Sequence, residues 1–284
     1  MKSKLLPFIC GLLISVSSVF AQDITGIATY KSQRKMDIKL DSTQFNDEMQ
    51  AQMKAMLQKQ FEKEYTLKFT RDESLYKEVE SLDGPNVMGG NGVQVMVASS
   101  SGSDVLYKNV AENRFVNQNE LFGKQFLIED ALEEPEWKLE KETKNIGEYT
   151  CFRATYTRTV TMRNMVSSSD SDKKDGSSTE ETSEEITVTA WYTPQIPVKH
   201  GPGQYSGLPG LILEINDGSE TILCSRIVLN PNEDLNIKAP TGGKKVDQAE
   251  FDEIMDKKMK EMEERYKDDG RKKDGNNFHI EIRG

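Results

Sequence analysis

Hydrophobic and polar positions change period several times along the 284-residue chain, and each change predicts an element. From Ile24 to Leu40 the residues are β-prone and partly alternate (Ile24, Ala28, Tyr30, then Met36, Ile38, Leu40), which predicts one strand or two short ones. Asp41, Ser42 and Thr43 then offer capping oxygens. Behind them Phe45, Met49, Met53, Met56, Leu57 and Phe61 recur at helical spacing, predicting an amphipathic helix from Thr43 to Lys63. Tyr65, Leu67 and Phe69 return to alternation and, past Arg71-Asp72-Glu73, the run Ser74 to Glu80 answers as the other arm of a hairpin. Residues 83–92, rich in Gly and Asn, read as a loop. Strand-like runs follow at Gln94 to Ala98, Val105 to Asn109, Arg114 to Asn117, Lys124 to Ile128 and Trp137 to Lys144, the spacing of a meander.

The longest strand pattern runs from Ile146 to Val166, and Glu184 to Thr193 is its expected antiparallel partner. Between them, residues 167–185 are nearly all Ser, Asp, Lys, Glu, Thr and Gly. Such a stretch buries too little apolar area to offset chain ordering, so a disordered hairpin tip is expected. Further on, residues 246–268 carry Phe251, Ile254, Met255, Met259, Met262 and Tyr266 as a narrow stripe among mixed charges, the pattern of a solvated helix with one apolar edge. Phe278, Ile280 and Ile282 alternate in a terminal strand from Asn277 to Arg283 that would close a sheet edge. These elements together predict a mainly β (α+β) fold: a large curved antiparallel sheet or half-barrel with one N-terminal and one C-terminal amphipathic helix.

The first residues change the setting. Lys2 and Lys4 precede an apolar run to Phe20, and Val19-Phe20-Ala21 suits a signal peptidase, so residues 1–21 read as a signal peptide cleaved after Ala21. What remains, residues 22–284, is expected to be a single exported domain of the periplasm or cell envelope, with nothing in it apolar enough to span a bilayer. The net charge of −10 argues against nucleic acid or an anionic membrane surface as partner. Cys151 and Cys224 either form one bridge in an oxidising compartment or remain two small buried apolar residues.

One segment carries a signature. Trp191 to Leu213 reads WYTPQIPVKHGPGQYSGLPGLIL. Pro194 and Pro197 end the preceding strand, and Leu208-Pro209-Gly210-Leu211 has the composition of a type II turn, with Gly210 at positive φ. The turn would feed a strand from Leu211 to Asn216, and Asp217-Gly218 suits a two-residue type I′ hairpin that sets Leu211 opposite Cys224 and Leu213 opposite Ile222. Both faces of that hairpin are apolar near its base, which places it centrally. The run Gly207, Leu208, Pro209, Gly210, Leu211, Ile212, Leu213, with Trp191-Tyr192 and Ile146-Gly147-Glu148-Tyr149 before it, resembles the GLPGLI family of exported Bacteroidota proteins. The resemblance implies an envelope setting and an antiparallel sheet curled around helices, like LolA-type carriers, and implies no particular activity.

Catalytic chemistry finds little support. His200 and Ser206 lack the spacing of a nucleophile elbow, and a loop histidine merely exposed is the plainer reading. No zinc-protease, phosphate-loop or dinucleotide glycine pattern occurs, and no cofactor is expected. The methionine stripes read as adaptable core rather than a copper site. Trp191, Tyr192, Tyr205, Phe152 and Tyr156 would either line a cavity in a curled sheet or fill its core. The expected role is a non-enzymatic binding or carrier protein for an apolar ligand or an envelope protein. The alternative is a structural module partnering an outer-membrane transporter.

Overall fold

The computed structural model describes residues 24–34, 62–79, 105–166 and 178–269. Their alternation of apolar and polar positions becomes one mixed sheet of twelve strands: β1 (Gly26–Arg34), β2 (Lys63–Phe69), β3 (Glu73–Glu78), β4 (Val105–Asn109), β5 (Arg114–Leu121), β6 (Lys124–Ala131), β7 (Lys138–Ile146), β8 (Tyr149–Val166), β9 (Ser178–Thr193), β10 (Leu211–Asn216), β11 (Glu220–Leu229) and β12 (Lys244–Val246). The order is β12-β6-β5-β4-β3-β2-β1-β11-β10-β9-β8-β7. Two meanders, β1 to β6 and β7 to β11, are thus joined side by side where β1 pairs antiparallel with β11, and β12 adds in parallel to β6.

This topology forces the sheet to curl. β6 and β7 lie ten strand steps apart, about 48 Å on a flat sheet. The chain passes from one to the other between Ala131 and Lys138, a stretch that reaches at most about 25 Å. The sheet therefore bends until its two flanks approach, without closing.

Alternation then decides what the concave face holds. Ala28, Tyr30 and Ser32 of β1, Leu67 and Phe69 of β2, Ser74 and Tyr76 of β3 and Phe115 of β5 are buried on it in register. On the convex side Tyr107, Val116 and Leu127 form a smaller cluster, covered by Ile237 and Ala239 of the segment that carries the chain from β11 to β12. The helix α1 (Gln248–Asp269) leans its apolar edge on β6, with Phe251 edge-on to Phe126 at 5.5 Å between ring centroids and Met255 partly buried.

Several expectations are corrected here. Lys63 and Val246 are strand residues, not helix ends. β9 starts at Ser178, so residues 178–185 belong to a paired strand rather than a disordered tip. The reason is that ladder hydrogen bonds to a long partner strand need no apolar face. Beyond Tyr156 and Val188 the two strands pair only with each other, as a projecting ribbon. The described residues form a curled sheet with one helix; they do not test the two-helix, LolA-like arrangement, because its N-terminal helix lies outside them. The signal peptide, the helix from Thr43 up to residue 61, the strand at 94–98 and the terminal strand at 277–283 lie outside the described residues.

Candidate functional site

Residues 194–213 leave β9 at Pro194, enter the concave face and return as β10. Ile196, Val198, His200, Ser206, Leu208 and Leu211 are all buried, while Pro197, Lys199 and Pro209 stay outside, so the segment alternates in and out like a strand without belonging to the sheet. Its own hydrogen bonds hold it together: Leu211 N–H donates to Ile196 O (2.9 Å), Ile212 N–H to His200 O (3.0 Å) and Gly207 N–H to Lys199 O (3.1 Å).

The tight bend is real but of another kind. Gly210 does not adopt positive φ; Gly207 does, at +91°. Gly210 N–H donates to Leu208 O at 2.8 Å, a three-residue turn centred on Pro209, so the type II turn is not formed. Glycine is needed at 210 for room: a Cβ there would lie 2.2 Å from Thr193 O. The following hairpin is also two residues wider than expected. Its pairs are Glu214 with Leu223, Ile215 with Ile222 and Asn216 with Thr221, around a four-residue loop at 217–220. Asp217 explains the extra width, because its Oδ1 accepts from Ser219 N (3.1 Å), Ser219 Oγ (3.0 Å) and Glu220 N (2.8 Å), closing an Asx-type turn. A shift of two residues keeps the expected alternation over Glu214 to Asn216, a bulge between Ile212 and Glu214 breaks it against β9, and the hairpin does lie inside the sheet.

The residue that sequence reasoning missed is Lys108. It sits on β4 in the apolar row with Phe69, Ser74 and Phe115 and is 0% exposed. Its Nζ donates to three carbonyls of the inserted segment, Gly201 O (3.0 Å), Gly203 O (2.6 Å) and Tyr205 O (2.9 Å). Three donors meet three acceptors, so the ammonium acts as a rivet through the loop. Burial pushes its pKa down to about 7. Tyr30 supplies a second rivet, its hydroxyl donating to Ile212 O at 2.7 Å, and Trp137 Nε1 donates to Ser206 O at 2.8 Å.

His200 is 0% exposed, not a surface histidine. It pairs with Ser206 through an isolated bridge that closes the loop around the Lys108 ammonium. Neither ring nitrogen has a hydrogen-bond partner, and the hydroxyls of Ser206 and Ser74 are likewise buried and unpartnered. Burial first, and the Lys108 charge second, push the imidazole pKa down to about 3. The geometry brings His200 and Ser206 together through their backbones, not as a hydrogen-bonded catalytic pair.

The five expected cavity aromatics do not line one space. Trp191 shares a face with Arg153 and Glu214, opposite to Ala154, Ala190 and Ile215; Lys144 lies 4.4 Å from its ring centroid and pairs with Glu214 at 2.6 Å. Phe152 and Tyr192 pack on each other at 6.2 Å. Cys151 and Cys224 are buried free thiols on β8 and β11, with β9 and β10 between them, and burial raises them to about 11 and about 12.

Tyr156 and Tyr205 belong to a different feature, a set of partly buried tyrosines at the rim of the core. There Tyr65 stacks on Tyr76 with ring centroids 4.8 Å apart, and Tyr156 meets Trp137 edge-on at 4.7 Å. Lys63 pairs with Glu78 at 2.9 Å and Arg158 with Asp217 at 3.2 Å. Glu220 sits between the two groups: its charge helps to raise both Tyr76 and Tyr205, whose shifts come first from burial. Among the described residues its partner is the Ser32 hydroxyl; Arg34, opposite it in the ladder, makes no ion pair with it. No group of three His, Cys, Asp or Glu among the described residues is arranged to hold a metal ion.

The fold and these two features define the class: a mainly β protein built on one large curled sheet, its concave face occupied by its own Pro- and Gly-rich segment. Residues 137–214, which include that segment, match the model of a family described as a protein of unknown function (Porph_ging). No curated protein matches the sequence. Two solved chains, "Structure of PNGF-II in C2 space group" and "Structure of PNGF-II in P21 space group", are each similar at 15% identity and a TM-score of 0.46, over 81% of this chain and 32% of theirs. The chain thus spans about a third of the length of the solved chains it matches. No helix among the described residues is long and apolar enough to cross a membrane.

Proposed function

We propose that this is an exported, non-enzymatic binding protein of the cell envelope, and that it takes a basic segment of an envelope partner at the tyrosine-lined rim. The observation that carries this is Glu220: Glu78 and Asp217 are neutralised by Lys63 and Arg158, whereas among the described residues the Glu220 carboxylate holds only the Ser32 hydroxyl and lies near enough to Tyr76 and Tyr205 for its charge to act on both. A carboxylate flanked by aromatic rings suits an ammonium or guanidinium with an apolar stem. The deeper interior argues against an apolar ligand, because Ile196, Val198 and Leu208 of the chain's own segment occupy it.

The test uses labelled extended peptides carrying Arg or Lys, with Gln counterparts as controls, read by fluorescence polarisation. Basic peptides should bind with an affinity that weakens as salt rises, and Glu220→Gln should lose most of it. Equal binding of the neutral peptides, or none at about 1 mM protein, near the weak limit of specific recognition, overturns the reading. Export is tested separately, by N-terminal sequencing of the protein from fractionated cells, which should begin at Gln22.

A further inference from the structure

We propose that acid unlocks the interior: protonating His200 places a second buried cation beside the Lys108 ammonium, and residues 196–210 come out of the concave face while the sheet stays paired. The inference does not depend on what the tyrosine rim binds.

The geometry gives a protonated His200 too little compensation for its burial beside another cation. An imidazolium has two N–H donors to satisfy and accepts nothing. Neither nitrogen makes a well-formed hydrogen bond at rest; the main chain of Thr70 and Arg71 favours the charged ring, but less than burial and the Lys108 charge oppose it, and the loop carbonyls of Gly201, Gly203 and Tyr205 are already taken by Lys108. From β2, the Phe69 ring lies 6.5 Å away and the main chain of Thr70 and Arg71 flanks the imidazole. From β3, the group placed opposite Lys108 is the uncharged Ser74 hydroxyl. From β4, the charged group that faces the ring is Lys108, a cation. From the segment itself, the bridge partner is Ser206, also uncharged. No carboxylate among the groups facing the ring offsets a positive charge on it.

The segment is also the part of the interior that can leave alone. Apart from main-chain bonds to its flanks at Thr193, Leu211 and Ile212, its polar ties to the rest are few: the Lys108 ammonium, the Trp137 indole on Ser206 O and the Lys199–Glu134 ion pair at 3.8 Å. The sheet is held by its own ladders, and the inserted residues 196–210 are not part of them. Opening returns His200 to water, where its ordinary pKa lets it hold the proton, so falling pH pulls the equilibrium toward the open form. This is the behaviour of a histidine switch built on a locally bistable element.

Trp137 reports on the event directly, because its indole donates to Ser206 O. The chain has two tryptophans, so Trp191→Phe, on the other face, leaves Trp137 as the sole emitter. Between about pH 7.5 and about pH 4, a range that brackets the ordinary histidine pKa, its emission should shift to the red reversibly while far-UV circular dichroism holds. His200→Gln should abolish that shift or move its midpoint down by at least about one pH unit. The same midpoint in His200→Gln, simultaneous loss of the circular dichroism signal, or no shift at all overturns the proposal. Should His200→Gln fail to fold, hydrogen exchange on the unaltered protein decides. Protection lost only at 196–210 and at the amides bonded to that segment upholds the latch, and loss spread over β8 and β9, or no loss, refutes it.

Discussion

Gly210 shows how a single position can be required for a reason other than the one its surroundings suggest. Its φ is ordinary, yet a Cβ would lie 2.2 Å from Thr193 O, and main chain cannot yield as a side-chain tip can. Gly210→Ala is therefore expected to cost about 2–4 kcal/mol, the range of overpacked buried sites. Gly207→Ala, at φ +91° against the Glu134 side chain, should cost about 1–2 kcal/mol. Urea melts of the two variants give the order, and a larger loss at 207 would contradict it. His200 makes the stability depend on pH with a definite sign. Its folded pKa, about 3, lies below the ordinary 6.5, so between those values the unfolded chain binds more protons. Its contribution is complete above about pH 6.5 and is lost as pH falls toward about 3. Lys108 acts in the same direction in a higher window, from its ordinary value down to about 7. Urea midpoints at pH 7 and pH 5 should differ in the native protein and converge in His200→Gln. Neither residue's burial was legible in the sequence. A lone Lys inside an alternating strand reads as an outward residue, and only the loop's three carbonyls, about ninety positions away, make its inward placement tolerable.

Among the elements, most strands were legible because half-buried strands alternate, and the longest pair was found from that alone. What was not legible was how far pairing continues without an apolar face. β9 reaches back to Ser178 through Glu and Thr, since its hydrogen bonds are made with β8 rather than with the core. Turn geometry was the other gap. Asp217-Gly218 favours a two-residue loop, but the Asp217 carboxylate finds three donors only in the four-residue loop, and that decides. Asp217→Ala should lose about 1–2 kcal/mol, measured by chemical denaturation. The opposite change is available at the β5–β6 hairpin. Phe122 and Gly123 both have positive φ, 51° and 73°, and Phe122 is 51% exposed. Asn tolerates that conformation and Phe does not, so Phe122→Asn is expected to stabilise by about 0.5–1 kcal/mol and raise the melting temperature. A lowered melting temperature would show that the Phe ring makes a contact worth more than the backbone strain.

At the scale of the molecule, the curled sheet was expected, and its wiring was not. Alternation along a strand says which face is buried, never which strand lies alongside, and β1 lies beside β11 at the far end of the chain. Each meander therefore lacks one flank without the other. A fragment ending at Ala131 contains β1 to β6 but leaves β1 without β11 and the concave row without residues 196–213. It is expected to show no cooperative melt and to associate on gel filtration, and a monomeric, cooperatively melting fragment would contradict the shared core. The same wiring bears on how the chain is born. β1 leaves the ribosome nearly two hundred residues ahead of β11, which at typical elongation rates is roughly 10–40 s. For that interval one side of the buried row Ala28, Tyr30 and Ser32 has no neighbour, so the nascent protein is expected to rely on a chaperone until its last strands are made.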